Sequence, residues 1–310
     1  MRVAQLAERA IEGGTESPAG ERRGIVMLMG AAFFFSLMSV VVKEAGKSLP
    51  VEMLVLARGV VTLVLSYAWM RSTGISPFGN DKPRLFLRGV LGLGGLSCFY
   101  YALTALPLAE VTTIHYLNPV FTALLAALLL RERVGWALAA AIALSLGGTM
   151  LVTRPAFLWH EAASLDATGV AAALAGAVFS AGAYVTVRRL RLTDHPDVIV
   201  FYFPVVAVPA TLPFAIRAWV WPNLVGWIEL VGIGVFTQTA QVLLTRGLAL
   251  VPAGRATAVG YVQIVFASIW GLLLFDERLS GWTLAGAVLI IGATLSLLRG
   301  GQRPSLPSTV

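Results

Sequence analysis

The sequence predicts an all-α membrane protein: ten transmembrane helices arranged as two inverted five-helix repeats. Three observations predict it. First, 57% of the residues are hydrophobic and 13% are charged, and apolar runs of about 20 residues recur end to end, each long enough to cross about 30 Å of hydrocarbon. Second, a shift of 145 residues lays 107–133 on 252–278 with nine identities in 27 positions, among them Pro107/Pro252, Tyr116/Tyr261, Phe121/Phe266 and Glu132/Glu277. The same shift pairs Gly24 with Gly169, Ala32 with Ala177, Phe34 with Phe179 and Val42 with Val187, so it holds over more than a hundred residues. Third, ten spans shared by two copies makes five each, and an odd number of crossings turns the second copy over.

Taken in order, residues 1–22 are polar, with Arg2, Arg9, Glu8, Glu12, Glu16 and Glu21, and read as a cytoplasmic tail that is either loose or a short amphipathic helix. No short apolar region with a cleavage site opens the chain, so the tail is not a signal peptide. The spans are expected at 24–46, 50–70, 84–106, 108–130 and 134–153 in a first repeat, 23–154. They are expected at 167–188, 196–216, 223–249, 252–275 and 280–299 in a second, 155–299. Arginine or lysine, proline or glycine marks most boundaries, and the connections leave no room for a soluble domain. The seventh span holds Pro204, Pro209 and Pro213, each removing a helical bond, which predicts a bent helix able to act as a gate or simply to pack. Residues 300–310, with Pro304 and Pro307, read as a disordered cytoplasmic tail.

Glycine is abundant and often stands beside alanine, which suits close helix packing in lipid. Cys98 is the only cysteine, so no internal disulfide exists. With the N-terminus placed in the cytoplasm, 16 Lys and Arg fall inside, 5 outside, and Arg58 and Arg246 within spans. That asymmetry predicts a multi-pass inner-membrane protein with both termini cytoplasmic. It also accounts for the net charge of +7 without nucleic acid as a partner. Inverted repeats give one central site two mirror-related ways to open, which points to transport.

The residues also carry a resemblance. Pro107 and Ala109, then Pro119-Val120-Phe121 and the leucine-rich run to Glu132, resemble the EamA repeat of the drug/metabolite transporter superfamily. So do Arg58, Tyr101 and the second copy's Asp276-Glu277-Arg278. The resemblance covers about 24–299 and implies a ten-helix, two-repeat carrier of amino acids, other metabolites or organic cations. One departure stands out: Ile264 occupies the place of Pro119, so if that proline opens the helix the halves are unequal.

The fourth span supplies the main candidates for substrate binding. Thr112, His115 and Asn118 recur every third residue, with Thr122 a turn further, on one helix face. His115 lies about 12 Å beyond Pro107, near the midplane. Pro119 cannot donate to the His115 carbonyl, which frees it for a cavity. In the ninth span Thr257, Tyr261 and Gln263 occupy the matched face, and Gln263 aligns with Asn118. These groups line a cavity or only bridge helices. The eighth span adds Gln238 and Gln241; Tyr101, Tyr116, Tyr184 and Trp270 are aromatics able to contact a ring or cation. Arg58 lies about 12 Å beyond Pro50 and must face the interior. It either holds a substrate carboxylate or pins free carbonyls such as that of His115. The resemblance, shared across many substrates, favours the structural role, alongside structural or gating roles for Pro119 and Pro204.

No Asp or Glu falls near mid-span, where the proton-coupled multidrug relatives carry a glutamate, so cation-for-proton exchange is disfavoured. No catalytic acid–base pair, metal-ligand cluster or nucleotide-binding loop stands out, so no cofactor and no ATP-driven transport are expected. The expectation is a secondary carrier, complete in one chain, that exports amino acids including aromatic ones. S-adenosylmethionine, a nucleotide sugar or an organic cation remain alternative substrates, and a channel or membrane-embedded enzyme alternative classes.

Overall fold

A computed structural model describes residues 18–106, 108–132, 134–153, 166–275 and 281–300. The regular elements within them are helices: α1 (Pro18–Ala45), α2 (Val51–Thr73), α3 (Lys82–Ala105), α4 (Leu108–His115), α5 (Asn118–Leu130), α6 (Trp136–Thr153), α7 (Ala167–Leu190), α8 (Pro196–Arg217), α9 (Leu224–Leu250), α10 (Ala253–Val259), α11 (Val262–Phe275) and α12 (Gly281–Gly300). Counted across the breaks within the fourth and ninth spans, nine spans among the described residues are long and apolar enough to cross a membrane. A shorter apolar helix, Gly281–Ser296, follows.

Local chemistry sets the helix ends. The Asp81, Asp166 and Asn223 side chains accept from the amides of Arg84, Gly169 and Gly226, three residues on, capping α3, α7 and α9. Gly74 ends α2 at φ +70°, a backbone region that glycine enters without a Cβ clash. Side chains such as Leu128 and Val288 point outward, as lipid contact requires, while alanine and glycine fill the helix contacts.

Packing repeats under the 145-residue shift. Helix α1 packs on α9, and α7 packs on α3, its shifted equivalent; α2 meets α8 and α6 meets α12 as pairs that the shift exchanges with each other, and α5 of the fourth span meets α10 of the ninth. A Cβ on Gly24 would lie 2.8 Å from Leu250 Cβ and 2.6 Å from Val251 Cγ2; one on Gly169 would lie 2.9 Å from Ala105 Cβ and 2.8 Å from Leu106 Cγ. The shift carries 105 and 106 onto 250 and 251, so one close approach is built twice. This is the expected architecture of two inverted repeats.

Three details add to what was expected. Helix α1 begins at Pro18, inside the stretch read as a tail, because Glu21 in its first turn is tied to Arg255 of α10. Helix α8 runs unbroken from Pro196 to Arg217 through all three prolines. And both half-helix pairs are interrupted, at 116–117 and at 260–261, although only the first has a proline nearby. The chain tightens there through three-residue bonds, Leu117 N–H to Ile114 O at 3.0 Å and Gly260 N–H to Thr257 O at 3.0 Å. Pro119 is therefore not what the break requires, and Ile264 does not make the halves unequal at this point.

Candidate functional site

Residues related by a two-fold axis touch each other only astride that axis, so such pairs locate it. Tyr116 and Tyr261, equivalent under the shift, stack with centroids 5.5 Å apart at 24°. The break in the fourth span leaves the Tyr116 carbonyl without its usual helical donor, and the Tyr261 hydroxyl donates to it at 2.6 Å. Tyr261 is 0% exposed, so this bond satisfies a hydroxyl that water cannot reach. The second pair is Arg58 and Phe203: the guanidinium carbon lies 5.8 Å from the centre of the ring, within cation–π range.

A second arginine shares that ring. Arg88, on α3, places its guanidinium carbon 5.0 Å from the Phe203 centroid and is 5% exposed. The site therefore contains a charge that sequence reading assigned to the cytoplasmic side, since Arg88 follows Lys82 and Arg84 so closely. Its signal was its distance into the span, about 9 Å from Lys82. The two guanidinium carbons are at most about 11 Å apart, the sum of their distances to the shared centroid. At an effective dielectric near 20 that leaves a repulsion of about 1.5 kcal/mol or more. Neither is neutralised: Arg58 Nε and Arg88 Nε and Nη1 are buried without a hydrogen-bond partner among the described residues. The bond expected between Arg58 and the His115 carbonyl is not among those formed. The buried acids among the described residues, Asp194 and Asp197, are already engaged. Asp194 accepts from the Asn80 and Asp81 amides, and Asp197 from Trp69 at 3.0 Å and Arg246 at 3.2 Å. Arg246 thus ends in an ion pair rather than free at the interface.

Other predicted residues join this centre. Tyr184 is near enough to both arginines and to Tyr116 to interact electrostatically with each, and Tyr100 with Arg58. His115 lies against Phe99, ring centres 4.8 Å apart, with its Nδ1 buried and unpartnered. On α9, Gln238 donates to Ser66 of α2 at 2.8 Å, leaving its carbonyl oxygen unpartnered, as is that of Gln241. Asn118 accepts from Thr122 at 2.8 Å, and Pro119 is buried beside it in the first turn of α5. Gln263 is half-buried in the first turn of α11. Trp270 donates to Ser36 at 2.9 Å in an aromatic group with Phe33 and Phe266, which joins α11 to α1. Pro204 is buried next to Phe203. Tyr101 stands apart, 53% exposed on the outside of the bundle, near Thr168. Trp136, Trp219, Trp221 and Trp227 are exposed at or near helix ends, where interfacial tryptophans sit.

One face of the bundle, the face where α1 begins, is held shut by polar bonds. Arg188 at the end of α7 binds Glu132 at 3.0 Å and the carbonyls of Leu248 and Ala249 at 3.0 and 3.2 Å. Arg191 reaches the same Ala249 carbonyl, and Glu132 accepts from the Ala253 amide at 2.9 Å, at the start of α10. Burial, then the like charge of Arg188, pushes Arg191 down to about 10, with Glu132 acting the other way. Four spans, the fourth, sixth, eighth and ninth, thus meet in one ionic latch. A cavity of about 290 Å³ opens beside it between α5, α6, α10 and α12, lined by Glu132, Leu138, Pro252 and Arg255 among others. It contains none of the central polar residues.

Inverted repeats around a buried polar centre, closed on one face by ion pairs, define a membrane transporter. The chain belongs to the EamA-like transporter family, whose model matches residues 22–154 and again 167–299. The pseudopaline exporter CntI of Pseudomonas aeruginosa is 34% identical over 279 residues, covering 90% of this chain and 96% of its own. Human solute carrier family 35 member G1 is 29% identical, covering 88% and 78%, and a riboflavin transporter of Vibrio cholerae is 25% identical, covering 87% and 90%. A solved crystal structure superposes with a TM-score of 0.80 at 20% identity, covering 90% of this chain and 99% of its own, a likeness of fold alone.

Proposed function

We propose that the protein is a secondary carrier of the bacterial inner membrane that exports small metabolites by alternating access, amino acids including aromatic ones being the substrate class. The observation that carries this reading is that inside the bundle Arg58, Arg88, His115, Gln238 and Gln241 all keep buried polar atoms unpartnered among the described residues, the two arginines beside a ring on the axis between the repeats. Buried polar groups are normally bonded. A centre that leaves these unbonded suits a ligand that arrives and departs. The rings around it, Phe99, Tyr184 and Phe203, fit a substrate with an aromatic or apolar body. In this reading the repeats are 23–154 and 155–299, the latch face is cytoplasmic, and both termini lie on that side.

Counterflow in liposomes, with an amino-acid panel and with or without an imposed pH gradient, tests the class. Saturable exchange of aromatic amino acids is expected, and conductance without saturation would make the protein a channel instead. Reporter fusions to both termini test the orientation. The likeness to the pseudopaline exporter supports a second reading, a larger metabolite of that kind, and pseudopaline belongs in the same panel.

A further inference from the structure

Resting on that carrier reading, we infer that Arg58 and Arg88 form a paired anion subsite and that, among the small metabolites carried, those with two carboxylates, one for each guanidinium, are preferred. Two buried cations beside one ring, with no acid to neutralise them among the described residues, are an incomplete arrangement. An ionised side chain at such depth needs a counter-charge or water. Among the acids whose side chains are described, Asp197 is spent on Arg246 and Trp69, Asp194 on the loop before α3, and Glu132 on Arg188. Glu52 and Glu229 lie near the N-terminal ends of α2 and α9, Glu52 six residues before Arg58, and neither bridges to an arginine among the described residues within 4 Å. In this proposal the negative charge that the described side chains lack comes with the ligand.

Geometry narrows its chemistry. Both guanidinium groups lie against Phe203, which leaves their unpartnered N–H groups, including Arg88 Nη1, for an acceptor. A guanidinium presents a planar fork that matches a carboxylate with two parallel bonds. Two such forks, on α2 and α3 and at most about 11 Å apart, fit a short chain with an acid at each end. The position of Gly92 bears on this. A Cβ there would lie 2.8 Å from the Phe203 ring and 3.2 Å from Arg88 Nη1, so glycine gives the guanidinium and the ring room to sit side by side. A metabolite with a single carboxylate would leave one arginine unpaired, and the dicarboxylate is preferred by the charge of the second.

The test compares diacids with their half-amides, so it does not depend on a variant folding. Purified wild-type protein in detergent is titrated with succinate, glutarate and glutamate, and with succinamate, glutaramate and glutamine, following thermal protection and tryptophan fluorescence. Each diacid should bind roughly tenfold to hundredfold more tightly than its half-amide, the range for a charge-assisted pair. Arg88→Gln should bring diacid binding down to the half-amide level, Arg88→Lys should restore part of it, and half-amide binding should fall in Arg58→Gln. Equal binding of diacid and half-amide in the wild type overturns the proposal, as does an Arg88→Gln protein that keeps the full preference. Liposome counterflow separates this from the carrier reading. Diacid-selective binding without any exchange would sink the carrier and leave the subsite standing. Exchange of neutral amino acids without diacid preference would do the reverse.

Discussion

Tyr261 shows how one residue can be fixed from two directions. Its ring stacks on Tyr116, and its hydroxyl satisfies the carbonyl that the helix break releases. Tyr261→Phe keeps the stack and leaves that carbonyl unpaired, which should destabilise the protein by about 1–3 kcal/mol. Thermal unfolding in detergent should show a lower midpoint without loss of helix by circular dichroism. Asp166 gives a pH-dependent counterpart at the surface. The Thr168 hydroxyl, then the Gly169 amide, hold its carboxylate below the usual range. Its cap is therefore present above the ordinary carboxylate pKa and lost as the pH falls through the lowered value. Asp166→Asn keeps an acceptor for Gly169 and removes the titration, so wild type should lose more stability than the variant between neutral and strongly acidic pH. At this scale the sequence was only partly legible. His115 and Arg58 were readable by depth from Pro107 and Pro50, because a polar residue in an apolar run has few places to go. Arg88 was not, because two cations upstream made a cytoplasmic position plausible. Phe203 was not, because nothing in an apolar run marks the ring that two cations will share. Tyr101 was legible as a family position, yet it faces outward, since which side of a helix meets the centre is decided by packing.

At the scale of the element, the spans were legible because hydrocarbon thickness fixes their length and leaves helix as the only backbone answer here. Their breaks were half-legible: Pro119 announced the first, while the second depends on Gly260 and on the tyrosine it must present. Close contacts were legible through the repeat. Gly24 and Gly169 occupy one repeat position, and each faces the same two-residue shelf at the end of a partner helix. Gly24→Ala and Gly169→Ala should each destabilise by about 1–3 kcal/mol through overpacking, and by similar amounts. Because they sit in different helix pairs, α1 with α9 and α7 with α3, the double variant should lose nearly the sum. Chemical denaturation of the three variants checks both points. A third contact lies outside this equivalence: a Cβ on Gly148 of α6 would come 2.7 Å from the Gly286 carbonyl of α12, so the fifth and tenth spans pack backbone on backbone.

For the whole molecule, the latch gives the symmetry a direction. The 145-residue shift carries Glu132 onto Glu277 and Arg188 onto Lys43, so an acid and a base recur at sequence positions belonging to the opposite face. Glu277 lies outside the described residues. If opening one face accompanies closing the other, neutralising the two acids should bias the protein in opposite senses. Glu132→Gln should raise the reactivity of a cysteine at Asn118 toward an impermeant thiol reagent applied from the latch face, by roughly tenfold for about 1.4 kcal/mol of lost closure. Glu277→Gln should lower it. Two shifts in the same direction would show that the acids serve stability and not opening.

The Arg58–Phe203 pair has a history written into it. A position on a two-fold axis faces its own copy, so a separate five-helix unit that paired with an inverted twin would have set arginine against arginine, or phenylalanine against phenylalanine. Two copies with sequences of their own can change one side of the pair and keep the other. Tyr116 and Tyr261 keep the older arrangement, like against like. Arg58 and Phe203 keep the newer one, a cation resting on a ring. The difference between the halves thus lets a charge stand on the axis without meeting itself.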